Sequence, residues 1–324
     1  MPEASYSRVK TWRRCHRMYH YKYHERLARK KPKAPLLKGS ILHEMLDARA
    51  IKQNPIAILN KYAAQYKSLF IEEREMYGDL IEDLRRIYGG YDRLYADDGL
   101  TVLASEEFVA TDILDGLRFI GYIDKRVVDK NNRVWIMDHK TGRNIPGVDS
   151  RYADLQLLLY VWAYNRDHKH DRISGVIWDY VRTKPPTIPE LLKKGGLSVA
   201  QNVNTDYETF MTAIQDNDLN PKDYKERLAQ LKNQESPFYR RITLPNPPQL
   251  MIDQVVADFQ NTAIELHTLS KVSKCRNMTK DCSWCEFHSI CDAELRGHDA
   301  DFIRESEFIV KDPSEHGNEE DEAE

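Results

Sequence analysis

Leu117-Arg-Phe-Ile-Gly-Tyr-Ile-Asp124 is followed closely by Arg133-Val-Trp-Ile-Met-Asp138-His-Lys140-Thr-Gly142. Both runs read as strands, and Asp129-Lys-Asn-Asn132 between them reads as a turn, so they predict an antiparallel hairpin. Centred on Asn131, that hairpin sets Asp124 opposite Asp138. Side chains alternate along a strand, so Asp138 and Lys140 share one face. At ~5 Å two facing carboxylates repel by roughly 1 kcal/mol in water and about 3 kcal/mol at an effective dielectric near 20. A divalent cation between them removes that cost, and the lysine adds a second positive group. The spacing points to a metal-dependent site for chemistry on a phosphate. A register slip of one or two residues would leave instead two surface acids and a lysine on a solvated hairpin.

Outward from the hairpin, the chain reads as helices, a three-strand meander, a helix, a strand and then mostly helix. Residues 5–30 read as a helix that Pro32 and Pro35 break. Gly39-Ser40 opens a second helix to about Lys52, with Ser40 in capping position. Helical pattern fills 55–98. Strands are predicted at 101–110, 116–128 and 133–140, with Asp115-Gly116 as the first turn. A strong helix covers 150–168 and another strand covers Ile173–Val181. TKPPTIPELLKKGGLS then reads as a loop or arm. Helices follow at 205–217, 221–235 and 247–270, with a short strand at Phe238–Thr243. This order fits one α/β domain, a mixed sheet flanked by helices with helical additions at both ends. The divisions are 1–52, 53–182, 183–250, 251–311 and an acidic tail at 312–324.

The 324 residues are 41% hydrophobic and 31% charged, enough for a sizeable core under a highly charged surface. No apolar run approaches the ~20 residues that span a bilayer, and the start MPEASYSRVKTWRRC lacks the apolar core of a secretory signal. A cytoplasmic protein is expected, in a bacterium or a phage-infected host. The net charge of −3 hides an asymmetry. The tail carries seven acids and no Lys or Arg; without it, 48 bases face 44 acids. Residues 5–33 carry eleven Lys or Arg against Glu25 alone, interleaved with Tyr6, Trp12, Tyr19, Tyr21 and Tyr23. Such a segment is either a nucleic-acid surface or an amphipathic helix whose aromatics belong to the core.

Three further groups carry chemistry. His43 in KGSILHEML flanks an apolar stripe of Leu42, Met45 and Leu46, so it is a packed histidine or, in company with carboxylates, a metal ligand. Gln156 and Tyr160 lie four apart in DLQLLLYVWAYN, on the face of Tyr152 and Tyr164. They form an aromatic core stripe with one buried amide, or a polar row aimed at an active site or a DNA strand. Cys282-Ser-Trp-Cys285 with Cys291 has the spacing of metal or cluster ligands. Five cysteines in a chain with no export signal argue for ligation or free thiols rather than disulfides. A four-coordinate site needs one more ligand, Cys15 or Cys275, and suits zinc or an iron–sulfur cluster.

Taken in order, these segments resemble the RecB-like branch of the PD-(D/E)XK nuclease superfamily, and within it the CRISPR-associated RecB-like exonucleases with a cysteine-held cluster. SRVKTWRRCHRMYHYKY, KGSILHEML, GYIDK, IMDHKTG, QLLLY and the cysteine triad match the family's motifs over residues 7–291. The resemblance implies a restriction-endonuclease-like fold and a metal-dependent DNA exonuclease. An endonuclease with the same site, or a non-catalytic DNA-binding or adaptation partner retaining the fold, are the alternatives. It implies that Asp124 and Asp138 hold Mg2+ or Mn2+ with His43 and the backbone carbonyl of His139, and that Lys140 positions a water and stabilises negative charge. Gln156 and Tyr160 would position the DNA strand. Cys15, Cys282, Cys285 and Cys291 would hold a [4Fe–4S] cluster joining the N- and C-terminal helical segments, a loop of about 270 residues whose closure restricts the unfolded chain. Cys275 has no place in this pattern. The arm at 183–200 and the segment to about 245 resemble an insertion of phage-encoded members, for which contact with DNA is the one role the resemblance suggests. Partners would be DNA and proteins of recombination or replication. No GxxxxGK[ST] loop is present, which argues against a built-in ATPase motor.

Overall fold

The computed structural model describes residues 2–114, 116–147, 149 and 154–312. Tyr152, Asp115 and the tail beyond Asp312 lie outside the described residues. Strands β3 (Leu100–Leu114), β4 (Leu117–Asp129) and β5 (Val134–Gly142) form the expected meander. β4 and β5 pair antiparallel from Val128–Val134 to Lys125–Met137, a register centred on Asn131. The turn chemistry explains it. The Asp129 carboxylate accepts from the amides of Asn131 at 2.8 Å and Arg133 at 3.0 Å, and Asn132 takes φ 58°, which Asn tolerates better than most residues.

β6 (Gly175–Arg182) runs parallel to β5, β7 (Tyr239–Pro245) antiparallel to β6, and β1 (Glu3–Ala4) parallel to β4. The sheet order is β1-β4-β5-β6-β7, with β3 also on β4. β3 holds one edge of β4 along nearly its whole length, so β5 and β1 share the other. β5 leaves that edge after Lys125, and β1 takes it up again at Arg118 and Phe119. Asp124 sits where the two strands part.

Helix α7 (Gln156–Asp167) makes the crossover from β5 to β6 that a parallel pair requires. Its first six residues are all buried, as befits a helix apolar on every side. With α1 (Tyr6–Arg14) and α10 (Gln249–Leu269) it covers one sheet face over Phe119, Ile123, Ile136, Val176 and Trp178. Helices α3 (Ala34–Ala50), α4 (Pro55–Ser68) and, after the short α5 (Ile71–Tyr77), α6 (Leu80–Leu94) form a second core with Val181, Phe238 and Tyr239 on the other face.

The expected helix over 5–30 is interrupted. α1 ends at Cys15, which takes extended backbone (φ −168°, ψ 121°). α2 (His16–Tyr19) and a wide π turn at His20–His24 follow, and β2 (Leu27–Arg29) pairs with β8 (Phe308–Val310). Trp12, Tyr19 and Tyr21 are buried, so these aromatics belong to the core. α3 begins at Ala34 rather than Gly39, because Pro35 sits in its first turn, where no intrahelical N–H is needed. Helix α7 is described from Gln156. β7 belongs to the central sheet, so the segment that stands apart ends near Phe238. That segment has a small core of its own, in which Leu197 packs against Phe210 and Ile214 of α8 (Tyr207–Asp216), Tyr224, and Leu228 and Leu231 of α9 (Lys225–Asn233).

The two ends of the chain are joined by ordinary packing. Met18, Tyr21 and Leu27 share a core with Phe287, Ile290 and Phe308. Tyr21 donates to Glu294 at 2.6 Å, and Arg304 pairs with Glu25 at 2.9 Å. Among the described residues no helix is long and apolar enough to cross a membrane.

Gly121 is needed for close approach. A Cβ there would lie 2.5 Å from the Tyr160 ring. Gly121→Ala is expected to destabilise the fold by about 1–3 kcal/mol through overpacking, read as a lower urea midpoint at unchanged slope. An unchanged midpoint would show that the Tyr160 ring is free to yield.

Candidate active site

Past Lys125–Met137 the amide of His139 no longer meets a β4 carbonyl in the ladder. It donates instead to the Asp124 carboxylate at 3.0 Å. The parting of the strands thus fixes Asp124 against the backbone between Asp138 and Lys140. Asp138 is fully buried and forms an ion pair with Lys140 at 3.0 Å. The same ammonium reaches Asp154 at 3.3 Å and the side-chain oxygen of Gln156 at 3.0 Å. Gln156 in turn donates to the Tyr160 hydroxyl at 2.8 Å. The structure therefore brings Asp124, Asp138, Lys140, Gln156 and Tyr160 into one chain of contacts.

Two expectations change. Tyr160 is 0% and Gln156 2% exposed, so neither lies where a DNA strand could touch it. They reach the site through Lys140, orienting its ammonium. Asp154 is the residue the sequence reading missed. It sits two residues before α7, where its other oxygen accepts from the Gln156 amide at 3.2 Å, a helix-start position that favours Asp. An acid just ahead of QLLLY was the available signal.

His43 lies on α3, and its ring stands perpendicular to that of His139 at 6.3 Å between centroids. The His139 side chain points away from Asp138, as alternation requires, into a buried polar network. Its Nδ1 lies 3.0 Å from Asp179 of β6, the residue beside it in the parallel ladder. Asp179 also accepts from the Tyr91 hydroxyl and lies 3.4 Å from Arg241, which pairs with Asp98 at 2.7 Å. Burial pushes the His139 imidazole down to about 4, and nearby Lys125 adds to the effect. Burial alone would raise the Asp179 carboxyl, but His139, Arg241 and Tyr91 hold it down at about 2. The network is thus a neutral imidazole on a carboxylate that also neutralises a guanidinium. It ties β5, β6, β7 and α6 together behind the site.

Two carboxylates, a backbone carbonyl and an imidazole are the donor types that suit Mg2+ or Mn2+. Among the described residues, however, no three His, Cys, Asp or Glu side chains are gathered closely enough to enclose an ion. His43, Asp124 and Asp138 are neighbours of one strand junction rather than a preformed ligand triad.

At the joint of the two chain ends, Cys15, Cys282, Cys285 and Cys291 all line one cleft. Each sulfur has an N–H donor. Asn277 N–H lies 3.5 Å from Cys15, Thr279 N–H 3.5 Å from Cys282, and Arg276 Nε 3.4 Å from Cys291. Burial raises the Cys285 thiol, and a backbone hydrogen bond at Phe287 opposes that. Cys275 is exposed and lies outside the cleft lining. It contributes its backbone, accepting from Arg17 N–H at 3.0 Å.

A profile of the PD-(D/E)XK nuclease superfamily matches residues 3–292. The chain belongs to this superfamily. The family points to a nuclease acting on DNA, and Mg2+ or Mn2+ is its usual metal. Among solved structures, one titled "Crystal structure of SSO0001" is similar at 14% identity and a TM-score of 0.33, covering 73% of this chain and 81% of that one. No curated protein matches the sequence.

Two substitutions separate the site from its support. Asp154→Ala is expected to lower turnover about tenfold or more with little loss of stability, since Lys140 loses one anchor but keeps Asp138 and Gln156; an unchanged kcat on linear DNA would remove Asp154 from the site. Asp179→Ala should instead cost about 3–5 kcal/mol of stability, because it removes the buried partner that His139, Tyr91 and Arg241 share and leaves Arg241 to pair with Asp98. A urea midpoint like that of the unaltered protein would contradict the network.

Proposed function

We propose that this protein is a metal-dependent deoxyribonuclease of the RecB-like branch that degrades linear DNA from its ends. Its setting would be recombination, replication or DNA processing, in a bacterial or phage-infected cytoplasm. The observation that carries the reading is the ammonium of Lys140, held among Asp138, Asp154 and Gln156 beside the strand junction that fixes Asp124.

Asp124 and Asp138, with His43 and the His139 carbonyl, are the groups that would hold Mg2+ or Mn2+. Such an ion supplies Lewis-acid polarisation of the phosphate and a water of lowered pKa. Lys140 presents a fixed positive charge to the phosphate oxygens, stabilising negative charge as it develops there. Asp154 and Gln156 give its ammonium two anchors besides Asp138, so the lysine stays oriented whichever partner Asp138 takes. Tyr160 holds the Gln156 amide, and Gly121 leaves room for the Tyr160 ring. His139, locked behind the sheet on Asp179, keeps the backbone that Asp124 grips from sliding.

The reading extends to a [4Fe–4S] cluster on Cys15, Cys282, Cys285 and Cys291, which line one cleft but are not gathered as a ligand set among the described residues. Four sulfurs line one cleft, and each has an N–H donor of the kind that tunes a bound cluster. Because packing, β2–β8 pairing and ion pairs already join the two ends, the cluster would reinforce this joint rather than create it.

With Mg2+, linear DNA should be degraded and a closed circle of the same sequence spared. Cutting of the circle would make the enzyme an endonuclease, and inertness toward both would leave a non-catalytic DNA-binding protein. Protein purified anaerobically should be brown, absorbing near 400 nm. A colourless protein with one zinc per chain would replace the iron–sulfur assignment.

A further inference from the structure

We infer that the hairpin arm between β6 and α8 is a wedge that parts the strands of duplex DNA at the mouth of the site. The inference rests on the nuclease reading and adds the substrate feature the arm would meet. The arm starts beside the catalytic strand. Thr183, directly after β6, donates its N–H to the carbonyl of Gly142 at 2.8 Å, two residues beyond Lys140. Arg182 donates to the Arg143 carbonyl at 2.9 Å. The root is fastened further by Arg86, whose guanidinium donates to the Pro186 carbonyl, and by Thr187 N–H on the Asn204 carbonyl at 2.8 Å.

Hydrogen bonds run along the arm up to its tip. Ser198 N–H reaches the Glu190 carbonyl at 2.9 Å, Leu191 bridges Leu197, and Leu192 N–H donates to Gly196 at 2.8 Å. Gly195 and Gly196 make the turn at φ 79° and 83°, a conformation that side chains resist. The returning limb is pinned from below, because Leu197 is buried in the small core and its N–H donates to the Tyr224 hydroxyl at 2.8 Å.

The outgoing limb does the opposite. Leu191 is 57% and Leu192 48% exposed, Ile188 is exposed with them, and Lys193 and Lys194 are exposed at the turn. A single exposed leucine is unremarkable on any surface. Three aliphatic side chains on a braced hairpin, beside a lysine pair and with Glu190 as the one acid from Thr183 to Thr205, match duplex DNA more closely. Lysines meet phosphates, and aliphatic side chains press between base steps and unstack them.

The test compares Leu191→Ser/Leu192→Ser and Lys193→Ala/Lys194→Ala with the unaltered protein on 5′-labelled linear DNA, single-stranded and blunt duplex, with Mg2+. The leucine variant should degrade duplex about tenfold or more slowly while its single-strand rate stays within about twofold, since unstacking is needed only in the duplex. The lysine variant should weaken binding of both substrates and flatten the salt dependence. Equal rates of the leucine variant and the unaltered protein on duplex would overturn the wedge, as would self-association of the unaltered protein that the leucine variant abolishes. Digestion of single strands but never duplex by the unaltered protein would also overturn it, leaving the nuclease reading intact. Inertness of the unaltered protein toward both substrates would sink that reading instead.

Discussion

The hydrogen bond from the His139 amide to the Asp124 carboxylate is the contact on which the site depends. It exists because β5 stops pairing with β4 after Lys125. A backbone N–H that loses its ladder partner in a buried place must find another acceptor, and the carboxylate supplies one. The same bond sets the first acid against the strand that carries the second acid and the lysine. Sheet geometry and site geometry are therefore one fact. The crossover helix α7 then closes the arrangement, delivering Gln156 and Tyr160 to Lys140 from the face of Asp138.

Behind the sheet, the polar network plays the complementary part. A buried carboxylate answering a histidine, a tyrosine and an arginine is costly to assemble and costly to disturb. Placed on β6, β7 and α6, it holds β5 from the side away from Asp138. Alternation along β5 accounts for the division of labour. Asp138 and Lys140 face the start of α7, and His139 between them faces the polar network.

Much of this was legible in the sequence, and for identifiable reasons. The hairpin register could be read because turn chemistry at Asp129 and Asn132 and side-chain alternation agree. The Lys140–Gln156 contact could only be guessed as a shared direction, since a helix periodicity gives a face but not its partner. Asp154 looked like any acid ahead of a helix. Asp179 and Arg241 were not legible at all. Their meeting with His139 depends on the register of a parallel pair across a crossover and of the strand that returns after the segment at 183–238. The helix expected over 5–30 failed for a similar reason. Its local pattern is helical, but residues 27–29 are drawn into a strand by 308–310, at the other end of the chain.

The central claim is that the junction of β4 and β5 forms a metal-dependent site for breaking phosphodiesters. Asp138→Ala tests it most directly, with linear DNA cleavage in Mg2+ measured beside circular dichroism and DNA binding. The variant should fold and bind DNA but not cut it, because the remaining acid and lysine cannot hold the ion. Metal-dependent cleavage at the rate of the unaltered protein would contradict it.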